Sequence, residues 1–352
     1  MHISEFKSEF SQYLNRAVDQ KLNTYNEYTS DSEILDIIQY TKKIVGGGKN
    51  IRPYMAYQMY KALGGNDKDQ IMDLLVSIEI FHTFALIHDD VIDNGDTRHN
   101  NLTLHNYVKQ SLIKNNRVAK NFEHIGTSQA ILVGDILLAW SMERFQNFLY
   151  LPYFKEAWGI FVTMIDEVVI GQMIDVDIMT REKVETNLIE TKMRLKTAGY
   201  TFVKPMLIGA SLAGKLYEME SFCNEFGNSI GVAFQIQDDL FDIVADPNII
   251  KKSILSDIKD HQHTYLTQYI FENGTESDIA ELKSFWGRDI LDDDQVKIIN
   301  LFEKTGAIVY AKEMVSSYLA RAKQSFLQEE HLSKEGQLEL ETLIKYIQNR
   351  NY

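Results

Sequence analysis

The chain has 352 residues, 45% of them hydrophobic, and a formal net charge of −14. That surplus of acid speaks against a nucleic-acid binder, which needs a basic face, and the apolar content is ample for a large core. Only 4 prolines and a single cysteine, Cys223, favour long uninterrupted helices, exclude an intrachain disulfide framework and suit a reducing cytoplasm.

The opening "MHISEFKSEFSQYL" lacks the apolar centre of a secretion signal. No stretch reaches the ~18 consecutive apolar residues of a membrane span, so a soluble cytoplasmic protein with no membrane span is expected. Residues 3–28 and 31–45 read as helices before the break "GGGKN", and "RPYMAYQMYKAL" follows at helical spacing, closed by Gly64 and Gly65. Residues 68–93 form a long helix whose second half is apolar nearly all round, the pattern of a buried element. "NGDTRHNN" reads as a loop. Helical segments recur at 126–150, 153–175, 189–213 and 220–244, and the C-terminal third is helical with polar faces. Period-two alternation is scarce and no Gly/Ser/Pro-rich linker divides the chain. The expected fold is all-α, a single large helical bundle over residues 1–352.

The long helix ends in "FALIHDDVID", and "VAFQIQDDLFD" at 232–242 echoes it. On an α-helix Asp89 and Asp93 lie only ~40° apart, with Asp90 flanking them; Asp238, Asp239 and Asp242 share that geometry. A lone D-D-x-x-D is ordinarily a solvated face, but two copies that each follow an apolar run are not explained that way. Like charges at this spacing destabilise a bare helix, and a bound cation reverses the penalty. Oxygen ligands without Cys or His suit a hard ion, Mg²⁺ or Mn²⁺, whose shell is usually completed by water and substrate phosphates. Cations for such an anion are at hand in Lys49 and Arg52 after the glycines, in Arg98, and in Lys196 beside Thr197.

Taken in order, "GGKNIRP", "EIFHTFALIHDDVID", "LVGDILLA", "GQMIDVD", "KTAGYTF" and "GVAFQIQDDLFD" resemble the all-E (trans) polyprenyl diphosphate synthase family, short-chain type, from Gly47 to about Asp257. The resemblance implies a helical fold around a deep central cavity, usually a homodimer, and Mg²⁺-assisted head-to-tail condensation of isopentenyl diphosphate with an allylic diphosphate. It places metal ligation on Asp89, Asp90, Asp93, Asp238, Asp239 and Asp242, five of which, with Lys196, make up the expected catalytic set; Asp242 is expected as a ligand only. Lys49, Arg52 and His82 match the isopentenyl diphosphate contacts. Arg98, Lys196, Thr197, Gln235 and Lys252 match the allylic site, and Gln172 and Asp175 match the cavity lining. Phe84 and Ala85, with Phe81 one turn deeper, are the expected chain-length residues, implying a product of fifteen to twenty carbons.

The chain departs from the family in places. The usual Arg-Arg-Gly reads Arg98-His99-Asn100, so an isopentenyl diphosphate contact falls on His99, which is only partly charged near neutral pH, and Leu102 replaces a proline. "KKSILSD" keeps Lys252 and Asp257 without the family's glycines, and a later lysine appears as Gln262. All six aspartates remain. Three other readings stay open: an incomplete partner subunit of a two-component synthase, and a terpene cyclase, which normally lacks the second D-D-x-x-D and the Lys49/Arg52 site. A non-catalytic, lipid-binding scaffold is the third.

Overall fold

The computed structural model describes residues 2–244 and 255–348, and its architecture is the expected helical bundle. The first half comprises α1 (Ile3–Thr24), α2 (Ser32–Gln39), α3 (Ile51–Ala62), α4 (Lys68–Ile92), α5 (Leu104–Lys114), α6 (Phe122–Gln146) and α7 (Phe154–Ile178). The second half comprises α8 (Thr186–Met193), α9 (Lys204–Leu212), α10 (Leu216–Val244), α11 (Ser256–Lys259), α12 (Tyr265–Asn273), α13 (Glu276–Phe285), α14 (Asp292–Lys304), α15 (Ala307–Leu327) and α16 (Lys334–Gln348). Lys252 lies outside the described residues.

Helix α4 is the central element. The Asp67 side chain caps its start by accepting from the Gln70 amide, satisfying a donor that has no intrahelical partner. From Leu74 to Phe81 every residue is buried, including Glu79. The helix lies against α6, with α10 packed on α15 and α3 on α9.

Residues 189–213 are not one α-helix. Between α8 and α9 the chain widens into a π-helical stretch, Arg194–Val203, a rare winding often found at functional sites. Two glycines let neighbouring helices press onto it. A Cβ at Gly171 of α7 would stand 2.6 Å from the Lys196 backbone nitrogen, and one at Gly231 of α10 would stand 2.4 Å from the Ala198 Cβ. A 3.6-residue period cannot signal this widening, because six consecutive residues, Ala198 to Val203, are buried and leave no stripe to read.

The loop after α4 contains a small hairpin, β1 (Thr97–Arg98) paired antiparallel with β2 (Asn101–Leu102). Its two turn residues, His99 and Asn100, both take left-handed backbone angles, φ 50° and 62°, as a tight two-residue hairpin requires. Three helices, α4, α6 and α7, are long and apolar enough by composition to cross a membrane. The apolar segment of α4 is mostly buried within the protein, whereas that of α7 is only 28% buried.

Candidate active site

The first aspartate motif sits at the C-terminal end of α4, where Asp93 is the closing residue. The negative end of the helix dipole adds to the repulsion among its carboxylates. Two cations answer it. Arg98, delivered by β1, reaches Asp90 Oδ1 at 2.6 Å and Asp89 Oδ2 at 3.4 Å. Lys196, from the π-helical stretch, lies 3.2 Å from Asp89 Oδ1. Burial pushes the Asp90 carboxyl up to about 6, with Arg98 pulling it back. Burial and then Asp89 raise Asp93 as well.

Asp175 of α7 ties this cluster to the second one. Its Oδ2 meets Lys196 Nζ at 2.5 Å and its Oδ1 meets Lys192 Nζ at 3.1 Å. Burial opposes its charge, but the Lys192 and Lys196 ammoniums prevail and hold the carboxyl below its usual range. A second connection runs through the amide of Gln235. Thr197 Oγ1 donates to Gln235 Oε1 at 2.7 Å, and Gln235 Nε2 donates to Asp239 Oδ1 at 2.8 Å. Asp239 is raised by burial, against the pull of Lys192. Asp242 is engaged differently: it accepts from the Ser256 amide, the Ser256 hydroxyl and the Asp257 amide, and so fixes the start of α11.

The oxygens of both motifs suit a hard cation in type and charge. Asp90 Oδ2 and Asp239 Oδ2 are buried without hydrogen-bond partners, and raised carboxylates are what a bound cation would restore to the charged form. No three carboxylates converge on one point among the described residues. In the first motif, Arg98 and Lys196 hold the carboxylates that an ion would share.

The residues around the glycine loop form a second group. Arg52 of α3 lies with its guanidinium carbon 3.9 Å from the centre of the Tyr200 ring, and its buried Nε has no partner. Tyr200 also bonds His82, hydroxyl to Nδ1, at 3.3 Å. Burial, helped by Arg52, Arg98 and His99, drives the His82 imidazole well below its usual range, so it is neutral. Lys49 is hydrogen-bonded to Tyr346 of α16 and lies 5.0 Å from that ring. The His99 ring lies over the glycines; a Cβ at Gly47 would stand 2.5 Å from its Nδ1.

Between α4 and α7 lies a cavity of about 680 Å³, headed by Asp89 and Lys196 and walled by Phe84, Ala85, Val168, Gln172, Met173 and Tyr200, among others. Phe84, Ala85 and Gln172 thus stand on the wall of this cavity. Phe81, also expected on this wall, is wholly buried. Phe81 is packed behind, against Phe84, Phe161 and Tyr200. His88 borders the cavity, but its Nε2 bonds the Ile131 carbonyl at 3.1 Å, consistent with a packing role. Lys192 and Tyr200 are not among the site residues expected from the sequence. Each falls four residues from Lys196, a helical spacing that was the available signal.

The family model for polyprenyl synthetase matches residues 32–302. The chain belongs to the polyprenyl synthetase family. It is 28% identical to a geranylgeranyl diphosphate synthase of Methanosarcina mazei over 92% of this chain and 90% of that protein. It is equally 28% identical to a geranylfarnesyl diphosphate synthase of Aeropyrum pernix, over 87% and 92%. A geranylgeranyl pyrophosphate synthase of Corynebacterium glutamicum, solved with isoprenyl diphosphate and magnesium, superposes with a TM-score of 0.93 at 26% identity, covering 100% of both chains.

Proposed function

We propose that this polyprenyl synthetase condenses isopentenyl diphosphate head to tail with an allylic diphosphate, giving a short all-trans prenyl diphosphate with Mg²⁺ as the resident ion. The observation that carries this reading is the contact of Lys196 with Asp89 and of the adjacent Thr197, through Gln235, with Asp239, which connects the two aspartate motifs beside an apolar cavity. Asp89, Asp90 and Asp93 would hold metal from one wall, and Asp238 and Asp239 from the other, with Asp242 fixing α11 behind them. The ions would stabilise negative charge growing on the departing diphosphate.

Arg98, Lys196 and Thr197 orient the allylic diphosphate, and Lys49, Arg52, His82 and His99 surround the isopentenyl diphosphate. As the allylic C–O bond breaks, its electron pair leaves with the diphosphate. The apolar wall of Phe84, Ala85 and Val168 keeps water from the allylic cation. The isopentenyl double bond then attacks the cationic carbon, and a proton leaves the new chain. Burial makes the His82 imidazole a weak base and Tyr200 occupies its Nδ1, while His88 is bonded to a carbonyl, so the departing pyrophosphate is the base.

Product length rests on the cavity itself, since relatives of equal identity carry geranylgeranyl and geranylfarnesyl names. With Phe84 on its wall, twenty carbons is the length favoured. The exposed apolar side chains of Leu132, Ile170 and Met173 on α6 and α7 favour a homodimer through that face, which light scattering would test. Incubation with labelled isopentenyl diphosphate, an allylic primer and Mg²⁺ tests the reaction. A longer diphosphate supports it, a hydrocarbon product means a cyclase, and no turnover means an incomplete subunit or a binding scaffold.

A further inference from the structure

Position 262 holds glutamine where the resemblance places a lysine, yet an ammonium is present at that place. Lys192, in the last turn of α8, brings its Nζ to 3.2 Å from Gln262 Oε1 and 3.1 Å from the His263 carbonyl. The residue is 9% exposed. The backbone it meets is fixed, because His261 bonds the Met179 carbonyl and His263 the Arg181 carbonyl, with Trp286 packed on both rings. Besides Asp175, the Lys192 charge acts on Asp239 and Asp257 of the second cluster. Its three donors meet a carboxylate, a backbone carbonyl and the side-chain amide of Gln262. The amide is neutral and belongs to a movable side chain, so it is the acceptor that a diphosphate oxygen displaces with gain.

We propose that Lys192 is the diphosphate-holding cation of the second aspartate cluster, a charge that has moved from position 262 to position 192. This rests on the condensation reading, and it adds a binding residue that the sequence motifs do not contain.

The test measures Mg²⁺-dependent binding of inorganic pyrophosphate by calorimetry, alongside KM for each substrate. Lys192→Met should weaken pyrophosphate about tenfold, the scale of one charge-assisted hydrogen bond, and raise the allylic KM similarly. The isopentenyl diphosphate KM should move less than about twofold. Adding Gln262→Lys to that variant should recover most of the loss, because the new ammonium reaches the same place. Gln262→Lys in the otherwise native chain should gain at most about twofold, the cation already being present. Unchanged pyrophosphate binding in Lys192→Met, or a loss that Gln262→Lys leaves unrepaired, overturns the proposal. Should Lys192→Met not fold, a tenfold gain from Gln262→Lys alone overturns it equally. A native protein that binds pyrophosphate without elongating a primer refutes the condensation reading instead, and the calorimetric comparison still decides the role of Lys192.

Discussion

The Arg52 guanidinium carbon lies over the Tyr200 ring, 3.9 Å from its centre, while the Tyr200 hydroxyl meets His82. One aromatic side chain from the π-helical stretch thus orients two of the four residues expected around isopentenyl diphosphate. A desolvated cation–π contact is worth about 2 kcal/mol. Tyr200→Leu should therefore raise the isopentenyl diphosphate KM by roughly tenfold or more. Tyr200→Phe keeps the ring face and should cost about threefold or less. Equal effects of the two substitutions on steady-state kinetics would mean that the hydroxyl, not the ring, does the orienting.

Both aspartate motifs and a divalent ion should be needed for turnover. Asp89→Ala and Asp238→Ala are expected to lower kcat at least 100-fold, since charge stabilisation of the leaving group is the largest contribution to such a reaction. The circular-dichroism spectrum should remain helical. Full turnover in EDTA would contradict the metal reading outright.

Glu79 makes stability depend on pH in a definite direction. It is 2% exposed in the middle of α4, and burial raises its carboxyl to about 7, with Arg52 and Asn50 pulling the other way. The native state therefore binds the proton more tightly than the unfolded chain, so this group favours folding at low pH. Its contribution falls as pH rises from ~4.5 through about 7. Thermal melts of the native protein and Glu79→Gln between pH 5 and pH 8 should diverge by roughly 2–3 kcal/mol in stability at 25 °C. The substituted protein should have the flatter profile. Parallel profiles would show that Arg52 keeps Glu79 ionised throughout.

Phe84→Ala should lengthen the product, because the ring stands on the cavity wall and its removal deepens the space below Asp89. Phe81→Ala, by contrast, removes a ring with no exposed surface and should mainly lower stability, by about 3–5 kcal/mol. Chromatography of the products separates the two effects. An active Phe84→Ala enzyme with an unaltered product would put the floor elsewhere, on α7 or a second subunit.

The hairpin turn offers a test of the His99 departure. His99→Arg should lower the isopentenyl diphosphate KM by supplying a permanent cation. The gain should stay within about tenfold, because arginine must also adopt the left-handed backbone that His99 holds at φ 50°. A raised KM would mean that the imidazole seated over Gly47 is itself part of the diphosphate contact.

Much of this protein was determined along the chain alone. Helical periodicity marked α3, α4, α6, α7 and α10, and the paired aspartate motifs marked the site, because both signals are local: a few residues at fixed spacing. Tertiary structure decided what spacing cannot carry. Residues 194–203 widen into a π-helix on which α7 and α10 close at Gly171 and Gly231. Phe81 and Phe84 look alike in sequence, but one turns into the core and the other onto the cavity. Lys192 and Gln262, 3.2 Å apart, are brought together only when the loop after α11 folds back on α8. Charge compensation over such a distance in sequence leaves no pattern in either segment, since each residue is ordinary where it stands and acquires its role from the other.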